Sequence, residues 1–187
     1  MDTFADTWFQ MLRHIRTQIR MKVFIIINLF QPILWLALFT QVFKSLSELP
    51  EMEVSYLQFF APGVVVMTVL FGSAWAGMGM LQDIDMGILS KMLATPVSRI
   101  SVVTSRVLAS MLLLIVQALL IFILAIILGV DIATGAAGVL FSIVIVSLLG
   151  LGFAAFSNGL ALLFKRPEPL MGVVNFVTLP LMFLSST

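Results

Sequence analysis

The 187 residues contain no cysteine and a single histidine, His14. Disulfides, thiolate nucleophiles and cysteine-held metals are therefore excluded, and a histidine-based metal site has no second imidazole to use. Charge is scarce as well. Asp, Glu, Lys and Arg together make up 10% of the chain, against about 25% in a soluble domain, too few to coat a water-soluble globule of this size. No Gly-x-x-x-x-Gly-Lys run occurs and no glycine-rich turn follows a strand, so nothing on this chain can cradle the phosphates of ATP. The apolar runs carry no charge at their centres, which argues against a proton- or ion-coupled carrier. The start of the chain also lacks the form of a cleavable signal: Asp2, Asp6, Arg13, Arg16 and Arg20 come first, and the apolar run that follows is too long for a signal core. The net charge of +1 is uninformative as a total, and no nucleic acid is expected as a partner.

What is present is apolar. Hydrophobic residues are 61% of the chain and the mean hydropathy is +1.17. Continuous runs at 23–43, 57–81, 100–128, 135–164 and 170–187 each approach or exceed the ~20 residues that a helix needs to cross a bilayer. The first, at about 1.5 Å per residue, reaches roughly 31 Å. Only helices and closed barrels satisfy their backbone inside lipid, and these runs lack the alternation of barrel strands. The expected fold is thus an all-α integral membrane domain over residues 1–187, with membrane lipid as its surroundings. The last run, ending Leu-Met-Phe-Leu-Ser-Ser-Thr, has no stop signal and reads as a fifth span cut short.

Ahead of the first run, residues 3–20 read as an amphipathic helix. Phe4, Trp8, Met11, Leu12, Ile15 and Ile19 share one face, and Asp6, Gln10, Arg13, Thr17 and Arg20 lie mainly on the other. Such a helix lies in the membrane interface or packs on a protein partner. With the N-terminus placed in the cytoplasm, nine of the ten Lys and Arg fall inside and only Lys44 outside, a strong positive-inside bias. Arg106, in the first turns of the third run, is near enough to the interface to snorkel, and His14 is expected to face solvent or headgroups.

The segment 82–99 between the second and third runs carries the functional signal. Ile88, Leu89, Met92 and Leu93 form an apolar stripe, Asp83 and Asp85 are expected at a helix start, where the dipole favours anions, and Pro96 ends the helix by pushing Thr95 out of helical geometry. A helix over 84–95 on the cytoplasmic face could rest on lipid or insert into a groove of a partner. The run Asp85-Met-Gly-Ile-Leu-Ser-Lys-Met-Leu-Ala-Thr-Pro-Val-Ser-Arg99 resembles the signature loop of ABC-type-2 exporter permeases, the membrane subunits of drug, polysaccharide and lipooligosaccharide exporters. Gln31-Pro32, Phe60-Ala-Pro-Gly63 and Leu179-Pro-Leu-Met-Phe-Leu-Ser185 match in the same order.

The resemblance implies six membrane helices, five of them begun here, in the plasma (inner) membrane of a prokaryote. It implies a second permease copy, in a homo- or heterodimer, and separate ATPase subunits that bind ATP and Mg, this chain holding no cofactor of its own. It makes residues 84–95 the coupling helix, with Asp83, Asp85, Gly87, Ile88, Leu89, Met92, Leu93, Thr95, Pro96 and Arg99 at the ATPase contact. Asn28, Gln31, Gln117, Asn158 and Asn175 are polar at membrane depth. They contact a substrate on its path or hydrogen-bond between helices. The small pairs Ser73/Gly77, Gly72/Ala76 and Gly150/Ala154 allow close helix approach. The competing readings are an ATPase-independent membrane channel or assembly protein and, more remotely, a membrane enzyme, which would need a cluster of acid, base and metal-ligating groups.

Overall fold

The computed structural model describes residues 3–20, 22–42, 56–95, 97–130 and 135–185. All the regular structure among them is helical: α1 (Thr3–Arg20), α2 (Lys22–Val42), α3 (Tyr56–Ala74), α4 (Gly77–Asp85), α5 (Ile88–Leu93), α6 (Arg99–Ile127), α7 (Gly135–Phe164) and α8 (Pro167–Ser185). Among the described residues Ala61–Asp85, Arg99–Ile127 and Gly135–Phe164 are long and apolar enough to cross a membrane. The chain is thus an all-α, multi-pass membrane protein.

The centre of the bundle is α3, α6 and α7. Ala61, Val64, Val65 and Val69 of α3 pack with Leu114, Ala118, Ile121 and Ala125 of α6 and Val146 of α7. A second cluster joins Ala74 of α3 and Met80 and Leu81 of α4 to Ala161 of α7 and to Leu170 and Val174 of α8. Glycines permit the close approach: a Cβ on Gly72 would lie 2.5 Å from Leu114 Cδ2, and one on Gly150 3.0 Å from Val69 Cγ1. The outward faces of α2, α6 and α7 leave large apolar side chains such as Phe30, Leu38, Ile123, Phe141 and Leu148 exposed, as a lipid solvent permits.

The run expected as one continuous second span, 57–81, is broken. The helix is interrupted at Trp75 and Ala76, where Ala76 N–H bonds Ser73 O at 3.1 Å and Met78 N–H bonds Trp75 O at 3.0 Å, three residues back instead of four. The apolar stretch then continues to Asp85. The helix expected over 84–95 is also divided. Gly87 adopts the left-handed conformation, φ 67°, which a residue without Cβ reaches freely. It closes α4, its N–H bonding Ile84 O at 3.0 Å, and immediately caps the six-residue α5.

Asp83 and Asp85 consequently stand in the last turn of α4, not at a helix start, where the dipole disfavours anions. Pro96 and the 44–55 loop lie outside the described residues.

Candidate functional site

Helix α1 has three faces, not two. One residue turns about 100°, so Thr7, Gln10, Met11, His14 and Gln18 form one stripe, Phe4, Trp8, Ile15 and Ile19 a second, and Arg13, Arg16 and Arg20 a third. The first stripe docks: α1 packs along the start of α6, Met11 and His14 are buried, and Ser105 Oγ bonds Gln10 Oε1 at 3.3 Å. The apolar stripe does not dock; Phe4 is 84% exposed and Ile19 55%. On α6 the small, polar and fully buried Ser105 meets α1.

Two expectations are overturned here. His14 does not face solvent or headgroups but is enclosed in the α1–α6 seam, because its place on the wheel, seven residues after Thr7, belongs to the docking stripe. Among the described residues its Nε2 has no hydrogen-bond partner, and neither does Gln18 Oε1. The imidazole is pushed down to about 3, by burial first and then by the charges of Arg106 and Arg13. Arg106 does not snorkel. It is buried and turns inward to bond Asp83, since a carboxylate within reach is a better partner for a guanidinium than a distant interface.

Asp83 is the meeting point of three helices. Its Oδ2 accepts from Arg106 Nη2 of α6 and from Arg13 Nη2 of α1 at 3.4 Å. The side chain of Arg106 is 7% exposed and that of Asp83 14%, whereas that of Arg13 is 41% exposed. Gly79 makes room for the pair: a Cβ there would lie 2.5 Å from Arg106 Nη1. At its other end α4 is held by Ser157 of α7, whose hydroxyl accepts from Gly77 N–H at 3.0 Å and donates to Ala74 O. One side chain thus satisfies a donor and an acceptor freed by the interruption at Trp75 and Ala76.

Below these anchors α5 buries none of its residues fully. Ile88, Leu89 and Met92 are half-buried, and Leu93, Ser90 and Lys91 are exposed. Thr95 folds back, its hydroxyl donating to Met92 O at 2.6 Å. Asp85 and Arg99 are exposed, and Ser98 caps α6, its Oγ accepting from Ser101 N–H at 3.4 Å. The amide residues are not assembled into one site. A crevice of about 240 Å³ between α2 and α6 includes Gln117 with Pro32, Ile33 and Leu120. Gln31 and Asn175 are exposed, and the side chain of Asn28 lies outside the described residues. Asn158 is fully buried, donates to Ala154 O of its own helix at 2.7 Å and leaves Oδ1 without a partner among the described residues. Among the described residues no group of three His, Asp or Glu could hold a metal ion.

Arg13, Ser157 and the inward-turned Arg106 are site residues that the sequence alone did not lead one to expect. A signal existed for Arg106, a charge placed within an apolar run. Ser157 had none, because its partners are 80 and 83 residues away.

The neutral His14 sets a pH dependence. In the undocked chain the ring titrates near 6.5, so the docked state binds fewer protons. Its contribution is complete above about pH 6.5 and declines as pH falls from there towards 3. Thermal unfolding, or proteolysis at the arginines of α1, is expected to come more readily at about pH 5 than at about pH 7. His14→Gln should flatten that part of the profile; an unaltered profile would assign the acid sensitivity to other groups.

The ABC-2 type transporter family is matched over residues 6–187. A putative transport permease, ycf38, of Cyanophora paradoxa is 30% identical over 186 residues, 98% of this chain and 64% of the relative. Its namesake in Porphyra purpurea is 26% identical over 161 residues, covering 85% of this chain and 55% of the relative. The daunorubicin resistance ABC transporter permease protein DrrB1 of Streptomyces coeruleorubidus is 24% identical over 155 residues, covering 83% and 54%. The chain therefore spans between about half and two thirds of the length of these relatives. No solved structure matches.

Proposed function

This chain belongs to the ABC-2 type transporter family, and from that premise we propose that it is the membrane-spanning permease of an ATP-driven exporter, worked by a separate ATPase subunit through α5. The observation that carries the coupling role is the apolar stripe of α5, half-buried at Ile88, Leu89 and Met92 and open at Leu93, at the end of a firmly held helix. Ile88, Leu89, Met92 and Leu93 are on a six-residue helix with none of its residues buried. Its neighbour α4 is anchored to α7 through Gly77 and to α6 and α1 through Asp83. A short amphipathic helix presented in this way fits a hydrophobic groove.

In this reading the ATPase subunit holds ATP and Mg, and α5 faces the cytoplasm with the N-terminus. A second permease copy completes the path in the inner membrane of a prokaryote. The substrate is amphipathic or lipid-linked, since the residues that line the crevice are apolar save the amide of Gln117 and include no charge. The drug-resistance permease among the relatives supports export.

The test uses the full-length protein. It should co-purify with an ATPase subunit, and Leu89→Asp with Leu93→Asp should lower that capture about tenfold or more, at least about 1.4 kcal/mol, with loss of export. Full export and undiminished capture in the double variant would remove α5 from the contact. Export by the full-length protein with no ATPase bound would favour a channel instead.

A further inference from the structure

We propose that the basic face of α1 binds the phosphate of an anionic phospholipid, and that Arg13 divides its guanidinium between that phosphate and Asp83. This requires only that α1 lies at the membrane surface, and does not depend on the exporter reading. The first ground is an imbalance of charge. Two arginines converge on a single carboxylate oxygen, and one anion cannot neutralise both. Arg106, enclosed among α1, α4 and α6, has the stronger claim, because a buried guanidinium left alone is far costlier than an exposed one. Arg13 holds Asp83 only at 3.4 Å and keeps 41% of its side chain exposed, so it has donors to offer outward.

The second ground is the company Arg13 keeps. Arg16 and Arg20 follow at i+3 and i+7 on the same face, both exposed, and neither has an ion-pair or hydrogen-bond partner among the described residues. Three guanidiniums in line, two of them unengaged, suit the forked geometry with which arginine holds a phosphate. The third ground is what lies beside them. The adjacent stripe, Phe4, Trp8 and Ile19, is exposed and apolar. A basic stripe flanking an uncovered apolar one matches the boundary between headgroups and acyl chains. An acidic protein segment would neutralise the arginines and leave the apolar stripe uncovered.

The full-length protein, purified without its partners, would be placed in nanodiscs of phosphatidylcholine alone or with added phosphatidylglycerol, and lipid retention read by native mass spectrometry. Phosphatidylglycerol should be retained in preference. Arg16→Gln with Arg20→Gln, which breaks no contact described above, should lower that preference about tenfold or more, and Arg13→Gln should lower it further. Inorganic phosphate should not displace the lipid. Equal retention in the wild type and the triple glutamine variant would overturn the proposal. So would displacement by inorganic phosphate, which would mark a site for the free anion.

Discussion

Asp83→Leu should destabilise the folded protein by about 3–5 kcal/mol, because it leaves Arg106 buried without a counter-charge. The side chain of Arg106 is 7% exposed and is walled in by α1, α4 and α6, so it has no short route to water. Arg13 behaves differently: with 41% of its side chain exposed, it can turn outward when Asp83 is gone, and its own loss is worth little. Adding Arg106→Leu to Asp83→Leu should restore most of the stability, since a buried ion pair replaced by apolar side chains is often neutral or better. The check is the unfolding midpoint of the full-length protein in mixed micelles, for both single variants and the double. If Asp83→Leu alone is as stable as the wild type, the carboxylate is not what holds the three helices together.

Ser157→Ala should follow in size, at about 1–3 kcal/mol for each buried group it orphans. Gly77 N–H loses its acceptor and Ala74 O its donor, and lipid offers no water to replace either. Gly77→Ala attacks the same junction from the other side. Its Cβ would press on the backbone carbonyl of Ser157, which cannot swing away as a side chain would, and overpacking of this kind costs about 1–3 kcal/mol. Since both changes act on one contact, the double variant should be less damaged than the sum of the singles. Strict additivity in thermal unfolding would show that Ser157 and Gly77 do not work as a unit.

These two junctions also mark where the sequence stopped being readable. The long helices were legible, because uninterrupted apolar runs and backbone chemistry in lipid leave few alternatives. The break at Trp75 and Ala76 was not: its stabilising hydroxyl comes from another helix, and nothing near residue 75 announces it. The amphipathic character of α1 was legible from the spacing of Phe4, Trp8, Ile15 and Ile19, but its docking face was not. In water the apolar stripe would be the side that packs. Where lipid is available that stripe stays outside, and the polar residues Gln10 and His14 face the protein. The segment after the second span was recognisable by its residues, yet Gly87, whose φ of 67° splits it, moved Asp83 and Asp85 from one helix to the end of another. Asp83 thereby entered the bundle, while Asp85 stayed at the surface.

The docking of α1 through its polar side imposes an order on biosynthesis. Arg13 leaves the ribosome 70 residues ahead of Asp83, and Gln10 95 residues ahead of Ser105. At about 5–20 residues per second, the nascent helix waits several seconds before either partner exists. During that interval its greasy edge can rest in the leaflet, and the hydrophilic edge that will later close on α6 stays hydrated. Helix α1 is therefore locked only after α6 has begun, and when it docks it joins α4 to the start of α6.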